Sequence, residues 1–479
     1  MNQFQDYLKR NGIYLSLTLG GLYVLPIILA NFYYVDDLAR SVAGYARWSD
    51  NGRPLAEYII KGMSFGGRVI DLAPLPLILS VLVVVLSGYY YCFKAGIEGR
   101  LTVAITSVSL LISPFYLQNI SYRFDVFTMS LSVAACVLSA AVLLNRSGNV
   151  WLMLSGLLIV ASLSLYQSSA NICIAMIGLN ALVSYRTFLF KSTVLESVRY
   201  AITILIALLF YKFCIASVFV SGVYSESHAE SASSIESVIK AINAYTWMFK
   251  ETFIGNYGIA MSLLAIIPLI AIVYRASAKK DAKFIIISFL SIISIVFSYI
   301  GVLIALHDPV IYPRVLVGFC GIVFSGFVIT SIFNKKMTPF MLIPVAASIL
   351  LSYSYGNALS SQKEKEGFIF SLMAKDIASK PDIESIRFNG TSSISPTGSN
   401  ASEKSGIIKI IIPSYIRSNW MFGAFYLQRL GVKVDFDPNV NIKKSIEEGC
   451  SKPFTKNMFY TSLVIDRTML FDFDKCGEK

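Results

Sequence analysis

The sequence predicts a polytopic α-helical membrane protein with about eleven transmembrane helices, interfacial helices in its first outer loop and a small C-terminal α/β domain. Of its 479 residues, 55% are hydrophobic and only 15% are charged, and the mean hydropathy of +0.63 is too apolar for a soluble globular protein. Apolar runs long enough to cross a bilayer follow one another as far as Gly356. Beyond Gly356 the composition is that of a soluble domain, so we divide the chain into a transmembrane domain over 1–356 and an α/β domain over 357–479.

The first apolar run, Ile13 to Phe32, is long enough to span a bilayer and shows no cleavage pattern at its end, so we expect a signal-anchor helix. Lys9 and Arg10 precede it and favour a cytoplasmic N-terminus. Further spans are predicted near 73–93, 101–118, 124–144, 150–167, 170–186, 198–221, 254–275, 284–306, 315–333 and 338–356. An odd number of spans places the C-terminal domain on the outer side of the membrane.

The net charge of +12 would favour a nucleic-acid partner if the protein were soluble. Here many lysines and arginines lie in the short gaps predicted to be cytoplasmic, which membrane topology explains, so no nucleic-acid partner is expected. The seven cysteines form no CxxC pair and no metal-type spacing. Cys450 and Cys476 are the cysteines of the C-terminal domain, and an outer location would permit a disulfide between them.

The first outer loop is dense in charge, and the spacing of its apolar residues differs from that of the apolar run before it. From Asp36 to Asp50, apolar residues recur at helical spacing and predict an interfacial amphipathic helix, with Trp48 on its apolar face at headgroup depth. Pro54 suits the first turn of a second interfacial helix.

Asp36 and Asp37 lie at the start of the first interfacial helix, where free N–H groups and the helix dipole favour a carboxylate. Two adjacent acids at a membrane boundary are energetically expensive, and this cost favours a functional role. The structural alternative is that Asp36 caps the helix and pairs with Arg40 four residues further on. We take the acidic pair as the chemical centre.

Other predicted outer boundaries carry polar residues at the same membrane face. Those that stand out are Arg123, Asp125, Tyr166, Gln167 and Arg314. The alternative for Arg123 is snorkelling to lipid phosphates, and the alternative for Tyr166 is an ordinary place in the aromatic belt. His307 and Asp308 offer too few ligands for a metal site, so we expect a solvated turn there. The polar loop from Gly222 to about Thr252 is expected to be a flexible cover over a cavity.

The C-terminal domain alternates between helical and strand patterns. We predict helices over 358–380 and 415–430, and strands over 383–389, 406–412, 432–436 and 458–472.

Several motifs together resemble the bacterial and phage-encoded Gtr-type glucosyltransferases that modify O-antigen and convert serotype. The signature is Asp36-Asp37-Leu38-Ala39-Arg40, with Gly44-Tyr45, Trp48 and Gly52-Arg53-Pro54-Leu55. The segments Tyr122-Arg123-Phe124-Asp125, Leu165-Tyr166-Gln167 and Pro313-Arg314 resemble that family's short motifs in the expected order. More broadly, the arrangement is similar to the GT-C glycosyltransferases, in which an acidic motif lies in the first outer loop.

The resemblance implies transfer of a glucosyl group from undecaprenyl phosphate glucose to a sugar of the lipid-linked O-antigen repeat. It places the multi-pass protein in the bacterial inner membrane, in contact with membrane lipid, with the active site and the C-terminal domain in the periplasm. It also implies a flippase and a donor synthase as functional partners. We expect no cofactor, and the ligand spacing supports no metal site.

From the resemblance and from the charges we assign a role to each candidate site residue. Catalysis is assigned to Asp36 as the general base and Asp37 as its positioning partner. The donor phosphate is assigned to Arg40, Arg53, Arg123 and Arg314, since arginine suits phosphate. Substrate binding is assigned to Trp48, Asp125, Tyr166 and Gln167. The alternatives are another envelope glycosyltransferase that uses a polyprenyl-phosphate sugar, or a polyprenyl-linked saccharide flippase, although a transporter would place its charges near the midplane.

Overall fold

The computed structural model describes residues 2–144, 146, 148–222 and 234–477 of the chain. The α-helices before residue 223 are α1 Asn2–Arg10, α2 Ile13–Ala30, α3 Asp36–Ala43, α4 Pro54–Met63, α5 Leu75–Ala95, α6 Arg100–Val108, α7 Tyr116–Asn119, α8 Val126–Ala141, α9 Asn149–Leu165, α10 Ala170–Ser184, α11 Phe190–Phe210 and α12 Ser217–Phe219. Those that follow are α13 Ile235–Thr252, α14 Asn256–Lys279, α15 Ala282–Phe297, α16 Gly318–Phe333, α17 Leu342–Ala378, α18 Pro396–Lys404, α19 Gly406–Ile411, α20 Phe422–Arg429 and α21 Ile442–Gly449.

In the described part of the chain, six helical segments are long and apolar enough to cross a membrane. They are Ile13–Ala30, Leu75–Ala95, Gln167–Ser184, Phe190–Phe219, Asn256–Lys279 and Lys335–Ala378. Four shorter apolar helices accompany them, namely Val126–Ala141, Asn149–Leu165, Ala282–Phe297 and Gly318–Phe333. A multi-helix membrane protein is therefore confirmed, and the count of eleven spans stays a prediction.

The helix predicted over 101–118 is broken into two. Helix α6 ends at Val108, and only the single turn of α7 follows it, after Pro114. Proline lacks the N–H that would continue the helical ladder, and it disfavours the helical conformation of the residue before it. The sequence pattern of apolar residues did not distinguish this break from a continuous helix.

The first and last apolar helices pack against each other. A Cβ on Gly356 of α17 would lie 2.6 Å from the backbone oxygen of Pro26 in α2, so glycine permits the close approach of the two backbones. Helix α17 then continues past the predicted domain boundary at 356/357 and ends at Ala378. The membrane part and the C-terminal unit therefore share one unbroken helix.

The C-terminal unit contains a five-stranded mixed sheet in the order β2-β1-β5-β4-β3. The strands are β1 Ser385–Asn389, β2 Asp435–Phe436, β3 Thr455–Lys456, β4 Thr461–Ile465 and β5 Thr468–Asp472. Strand β1 runs parallel to β2 and β5, while β4 is antiparallel to β3 and β5. The small α/β unit and three of its four predicted strand regions are thus confirmed, although 458–472 forms a hairpin and the predicted helix over 415–430 is shortened to α20.

The strand predicted over 406–412 is wrong, because this segment forms α19. Ile407, Ile408 and Ile411 are buried while Lys409 is exposed, which is the spacing of one helix face. The run of isoleucines favoured a strand by intrinsic preference, and tertiary burial overrode that preference.

The proposed disulfide between Cys450 and Cys476 is present, with the two Cα atoms 5.8 Å apart. Part of the polar loop predicted from Gly222 onward, including Glu226, His228 and Glu230, lies outside the described residues. The rest of that loop is mainly helix α13, which begins with a cap from Ser234.

The C-terminal unit lies on the first loop, at the same end of the helix bundle. Helix α20 packs against α3, and the Lys363 ammonium donates a hydrogen bond to the carbonyl of Ala30 at the end of α2. This arrangement places the acidic pair of α3 between the membrane helices and the C-terminal unit.

Candidate functional site

The first interfacial helix is shorter than the sequence pattern predicted. It comprises Asp36–Ala43 and ends at Gly44, whose φ of 64° is the left-handed conformation that commonly terminates a helix. Trp48 therefore lies beyond the helix and is buried, which corrects its predicted position at headgroup depth. The second interfacial helix, α4, begins at Pro54 as predicted.

Asp36 is the accessible member of the acidic pair. Its side chain is 41% exposed, and its Oδ2 lies 3.9 Å from a terminal nitrogen of Arg40. No side-chain hydrogen bond caps α3, so the capping role considered for Asp36 is not observed. A carboxylate at the first position of a helix that is open to solvent is placed where an incoming hydroxyl group could reach it.

Asp125 is the centre of a buried ionic network that joins distant parts of the chain. Its carboxylate accepts hydrogen bonds from Trp48 Nε1 at 2.7 Å and from Arg40 Nη1 at 3.2 Å, and Arg53 Nη1 lies 3.9 Å away. The Asp125 and Arg40 side chains are each only 7% exposed. The Arg40 guanidinium also lies 4.3 Å from the centroid of the Trp48 ring, in cation–π contact.

Arg53 extends this network to the segment between α9 and α10. Its Nε donates to Gln167 Oε1 at 3.0 Å, and its guanidinium lies 4.5 Å from the Tyr166 ring centroid. The preceding Gly52 has a φ of 73°, and a Cβ there would lie 2.5 Å from the Tyr211 hydroxyl, which donates to the Gly52 carbonyl. Glycine is therefore required for this turn to approach Tyr211 and present Arg53 to Gln167.

Arg314 joins the site mainly through its backbone. Its N–H donates to Gln118 Oε1 at 2.8 Å, and its carbonyl accepts the Tyr166 hydroxyl at 2.8 Å. The guanidinium of Arg314 donates to the Tyr122 hydroxyl. The loop before α16 is thus held against the same cluster as Arg53.

Asp37 is fully buried and acts as an acceptor for backbone N–H groups. Its Oδ2 accepts from Tyr34 N at 3.0 Å and from Arg123 N at 2.9 Å, while Oδ1 is 3.4 Å from Phe124 N. Burial raises the pKa of Asp37 to about 8, so this carboxyl keeps its proton at neutral pH. Asp37 therefore positions the segment before α8 against α3, and it is a poor general base.

We expect Asp37→Asn to retain the fold, because one amide oxygen can replace Oδ2 as the acceptor for both Tyr34 N and Arg123 N. Asp37→Ala should lower the free energy of unfolding by about 1–3 kcal/mol for each buried N–H that loses its partner. Thermal unfolding of the purified variants in detergent measures both effects. Equal stability of the Asn and Ala variants would contradict this role.

The same residue makes stability depend on pH. The pKa of Asp37 is about 8 in the folded chain and about 3.9 in an unfolded one. The folded state therefore holds a proton that the unfolded state releases, and stability falls as the pH rises from about 4 to about 8. Asp37→Asn should gain in melting temperature relative to the wild type across this window, as measured by thermal unfolding at a series of pH values.

The Arg123 guanidinium lies apart from the Asp125 network. It donates to both carboxylate oxygens of Asp71, at 2.8 and 3.3 Å, and to Asn31, and it stacks 4.2 Å from the Tyr33 ring centroid. Burial alone would raise the pKa of Asp71, but hydrogen bonds from Tyr33, the Ala73 N–H and Arg123 hold that pKa below its usual value.

This arginine lies at the polar end of a cavity of about 420 Å³. The apolar lining comes mainly from α2 and α5 and includes Ile27, Ile28, Phe32 and Leu77. The cavity thus combines an apolar wall within the membrane region with a cation at its boundary.

The structure brings seven of the ten predicted site side chains into one connected network. These are Asp36, Arg40, Trp48, Arg53, Asp125, Tyr166 and Gln167. Arg314 adjoins it through its backbone, whereas Asp37 and Arg123 lie beside it with separate partners. The roles assigned to all ten stay predictions.

Sequence reasoning missed two residues that hold this region. Asp71 lies in the charge-dense first loop, and that charge density was a signal that could have identified it. Tyr415 contacts the segment before α3 from 380 residues away along the chain, and no local pattern pointed to it.

Among the described residues, one group of cysteine and acidic side chains is close enough to hold a metal ion, namely Cys450, Asp472 and Cys476. Both cysteines of that group form the disulfide. It lies in the C-terminal unit, away from the acidic pair.

The apolar helices and the ionic network at one end of them define a helical membrane protein with a charged site at one end of its helix bundle. Residues 25–330 match the family described as glucosyl transferase GtrII, and the chain belongs to this glycosyltransferase family. The resemblance seen in the short motifs is thereby confirmed.

The chain is also similar to a Salmonella phage P22 protein described as "Uncharacterized 55.3 kDa protein in gtrB 5'region". The two are 30% identical over an alignment of 444 residues, and the alignment covers 87% of this chain and 90% of the phage protein. No solved structure matches the chain.

Proposed function

We propose that this protein transfers a glucosyl group from undecaprenyl phosphate glucose to a sugar of the lipid-linked O-antigen repeat. The observation that carries the proposal is the accessible carboxylate of Asp36 at the start of α3, beside a buried cation and at the membrane boundary. Membership of a glucosyltransferase family supports the reaction class, and the lipid donor and the acceptor are our proposal.

In this mechanism the acceptor hydroxyl attacks the anomeric carbon of the donor glucose. Asp36 takes the hydroxyl proton, the new glycosidic bond forms, and the bond from the anomeric carbon to the phosphate oxygen breaks. The lipid phosphate leaves as an anion, so no second carboxylic acid is needed to protonate it. Arg40, held by Asp125, keeps a positive charge 3.9 Å from Asp36 and orients that side chain.

The donor is assigned to the cavity between α2 and α5. Its apolar lining suits part of a polyprenyl chain, and the Arg123 guanidinium at its polar end suits the phosphate. Arg53 and Arg314 lie closer to the Asp125 network and are candidates for contact with the phosphate as the sugar is transferred. No cofactor is part of this scheme.

We also propose that the N-terminus is cytoplasmic and that the site and the C-terminal unit face the periplasm of the bacterial inner membrane. The positive-inside pattern of the loops supports this orientation. The Cys450–Cys476 disulfide supports it too, because disulfides persist in oxidising compartments. The GT-C type of architecture and a dependence on a flippase and a donor synthase belong to the same proposal.

The function is tested by comparing O-antigen composition and linkage in cells with and without this protein, with the donor synthase and flippase supplied. We expect additional glucose on the repeat unit in cells that make the protein. Unchanged O-antigen would contradict the proposed function.

The donor role of Arg123 gives a kinetic prediction. Losing a hydrogen bond to a charged group costs about 1.5–3 kcal/mol, so Arg123→Ala should raise KM for the lipid donor by about ten- to a hundredfold. Lysine should restore donor use only partly, because it lacks the bidentate fork. Initial rates with donor and acceptor varied separately measure the effect, and the KM for the acceptor should change little.

Two variants control this test. Arg47→Ala removes an exposed arginine of the first loop that pairs with Asp50, and it should leave the donor KM unchanged. Asp71→Asn weakens the ion pair but keeps Arg123. A donor KM raised equally by Asp71→Asn and by Arg123→Ala would show that the pair only supports the fold.

A further inference from the structure

The residue before the acidic pair is held in an unusual backbone conformation. Val35, which immediately precedes α3, has φ 49° and ψ −104°, a region that β-branched residues rarely adopt. Such a conformation is strained and persists only where surrounding contacts impose it. The direction in which α3 begins, and therefore the place of Asp36, depends on those contacts.

The contacts come largely from the C-terminal unit. The hydroxyl of Tyr415 accepts a hydrogen bond from Val35 N at 2.9 Å and donates one to the Tyr33 carbonyl at 2.5 Å. The hydroxyl of Tyr34 donates to the Ile411 carbonyl at 2.7 Å. Three hydrogen bonds thus join segment 33–35 to segment 411–415, although the two segments are far apart in the sequence.

Tyr415 is itself firmly positioned. Its ring is buried and stacks against Phe32 at a centroid distance of 5.7 Å. Its backbone N–H donates to Glu366 Oε1 at 2.9 Å, and Ser414 donates to the same oxygen at 2.8 Å. Glu366 lies on α17, the helix that begins in the membrane part, so the membrane bundle and the C-terminal unit together fix the Tyr415 hydroxyl.

We propose that the C-terminal unit is a positioning element for the catalytic helix, and that the Tyr415 hydroxyl acts by holding Tyr33–Val35 in the conformation that presents Asp36. This inference rests on the proposed function for its catalytic consequence. Tyr415 is a positioning residue, since its contacts are with the backbone before α3 and not with Asp36 itself.

The test is Tyr415→Phe in the full-length protein, which keeps the ring and removes only the hydroxyl. The matched control is Tyr426→Phe in the same aromatic cluster, 6.4 Å from Tyr415 between ring centroids. In the described part of the chain, the Tyr426 hydroxyl makes no hydrogen bond to residues 33–35. Two readouts are measured in nanodiscs: hydrogen–deuterium exchange of residues 33–37 by mass spectrometry, and kcat and KM for glucosyl transfer.

We expect Tyr415→Phe to speed amide exchange in residues 33–37 and to lower kcat by about tenfold or more, since a misplacement of about 1 Å can cost about 10²-fold. The KM for the lipid donor should stay within about twofold of the wild type, because Tyr415→Phe keeps the ring that packs against Phe32 in the wall of the assigned donor cavity. Tyr426→Phe should match the wild type in both readouts. Tyr34→Phe removes the neighbouring hydrogen bond to Ile411 and should act in the same direction as Tyr415→Phe.

Wild-type exchange in Tyr415→Phe would overturn the holding role. Faster exchange with an unchanged kcat would overturn the catalytic consequence and leave the proposed function intact. Absence of glucosyl transfer by the wild type would overturn the proposed function, while the exchange experiment would still report on the contact between the two segments.

Discussion

Replacing Asp36 with asparagine is expected to lower the turnover of glucosyl transfer by about 10²–10⁴-fold, the usual contribution of a general base. Asparagine keeps the size of the side chain and can still lie near Arg40, but it cannot accept the proton of the acceptor hydroxyl. The measurement is glucosylation of O-antigen at matched expression in the membrane. Donor binding should be nearly unchanged, because the lost interaction belongs to the transition state.

Asp50→Asn is the matched control for this experiment. Asp50 has a similar side-chain exposure of 38%, lies in the same loop and pairs with the exposed Arg47, so its loss should leave turnover within about twofold. Asp37→Asn should also be much milder than Asp36→Asn, because Asp37 is buried and protonated at neutral pH. Full activity of the Asp36→Asn/Asp37→Asn double variant would remove the proposed mechanism and favour a binding or transport role.

Asp125→Ala is expected to produce the largest loss of stability, about 3–5 kcal/mol, because it removes the buried partner of Arg40 and leaves only the more distant, partly exposed Asp36 beside it. It also removes the acceptor for the Trp48 indole N–H. The free energy of unfolding can be followed by thermal denaturation of the purified protein in detergent, together with its abundance in the membrane. Asp125→Asn should be less destabilising, because its amide oxygen can still accept from Trp48.

A double variant separates the cost of the unpaired charge from other effects. Adding Arg40→Met to Asp125→Ala removes the stranded cation and should recover part of the lost stability, even though a second residue has been changed. Asp50→Ala breaks an exposed ion pair and should cost no more than about 1 kcal/mol. Strictly additive losses in the double variant would contradict a coupled Arg40–Asp125 pair.

The local part of the site was largely predictable, because its components lie close together in sequence. The start of α3 at Asp36 follows from the preference of acidic residues for the first turn of a helix, the start of α4 at Pro54 follows from that of proline, and both starts are observed. The end of α3 was not predicted, because the apolar periodicity continues to Trp48 although Gly44 adopts a left-handed conformation. Periodicity alone could not show that Trp48 turns inward to Asp125.

The sequence by itself determined the class of this protein: a chain of apolar helices, charged motifs at one membrane boundary and a small C-terminal α/β unit. These properties follow from hydropathy, periodicity and residue type. Each of these can be recognised within a segment of a few to about twenty residues. Only the tertiary structure decided which adjacent aspartate is exposed, because the segment carrying Arg123 and Phe124 covers Asp37 and leaves Asp36 open. It likewise decided that Arg123 pairs with Asp71 apart from Arg40, and that Tyr415 reaches Val35 from the far end of the chain. Burial and hydrogen bonding between distant segments set these outcomes, and no local pattern contains them.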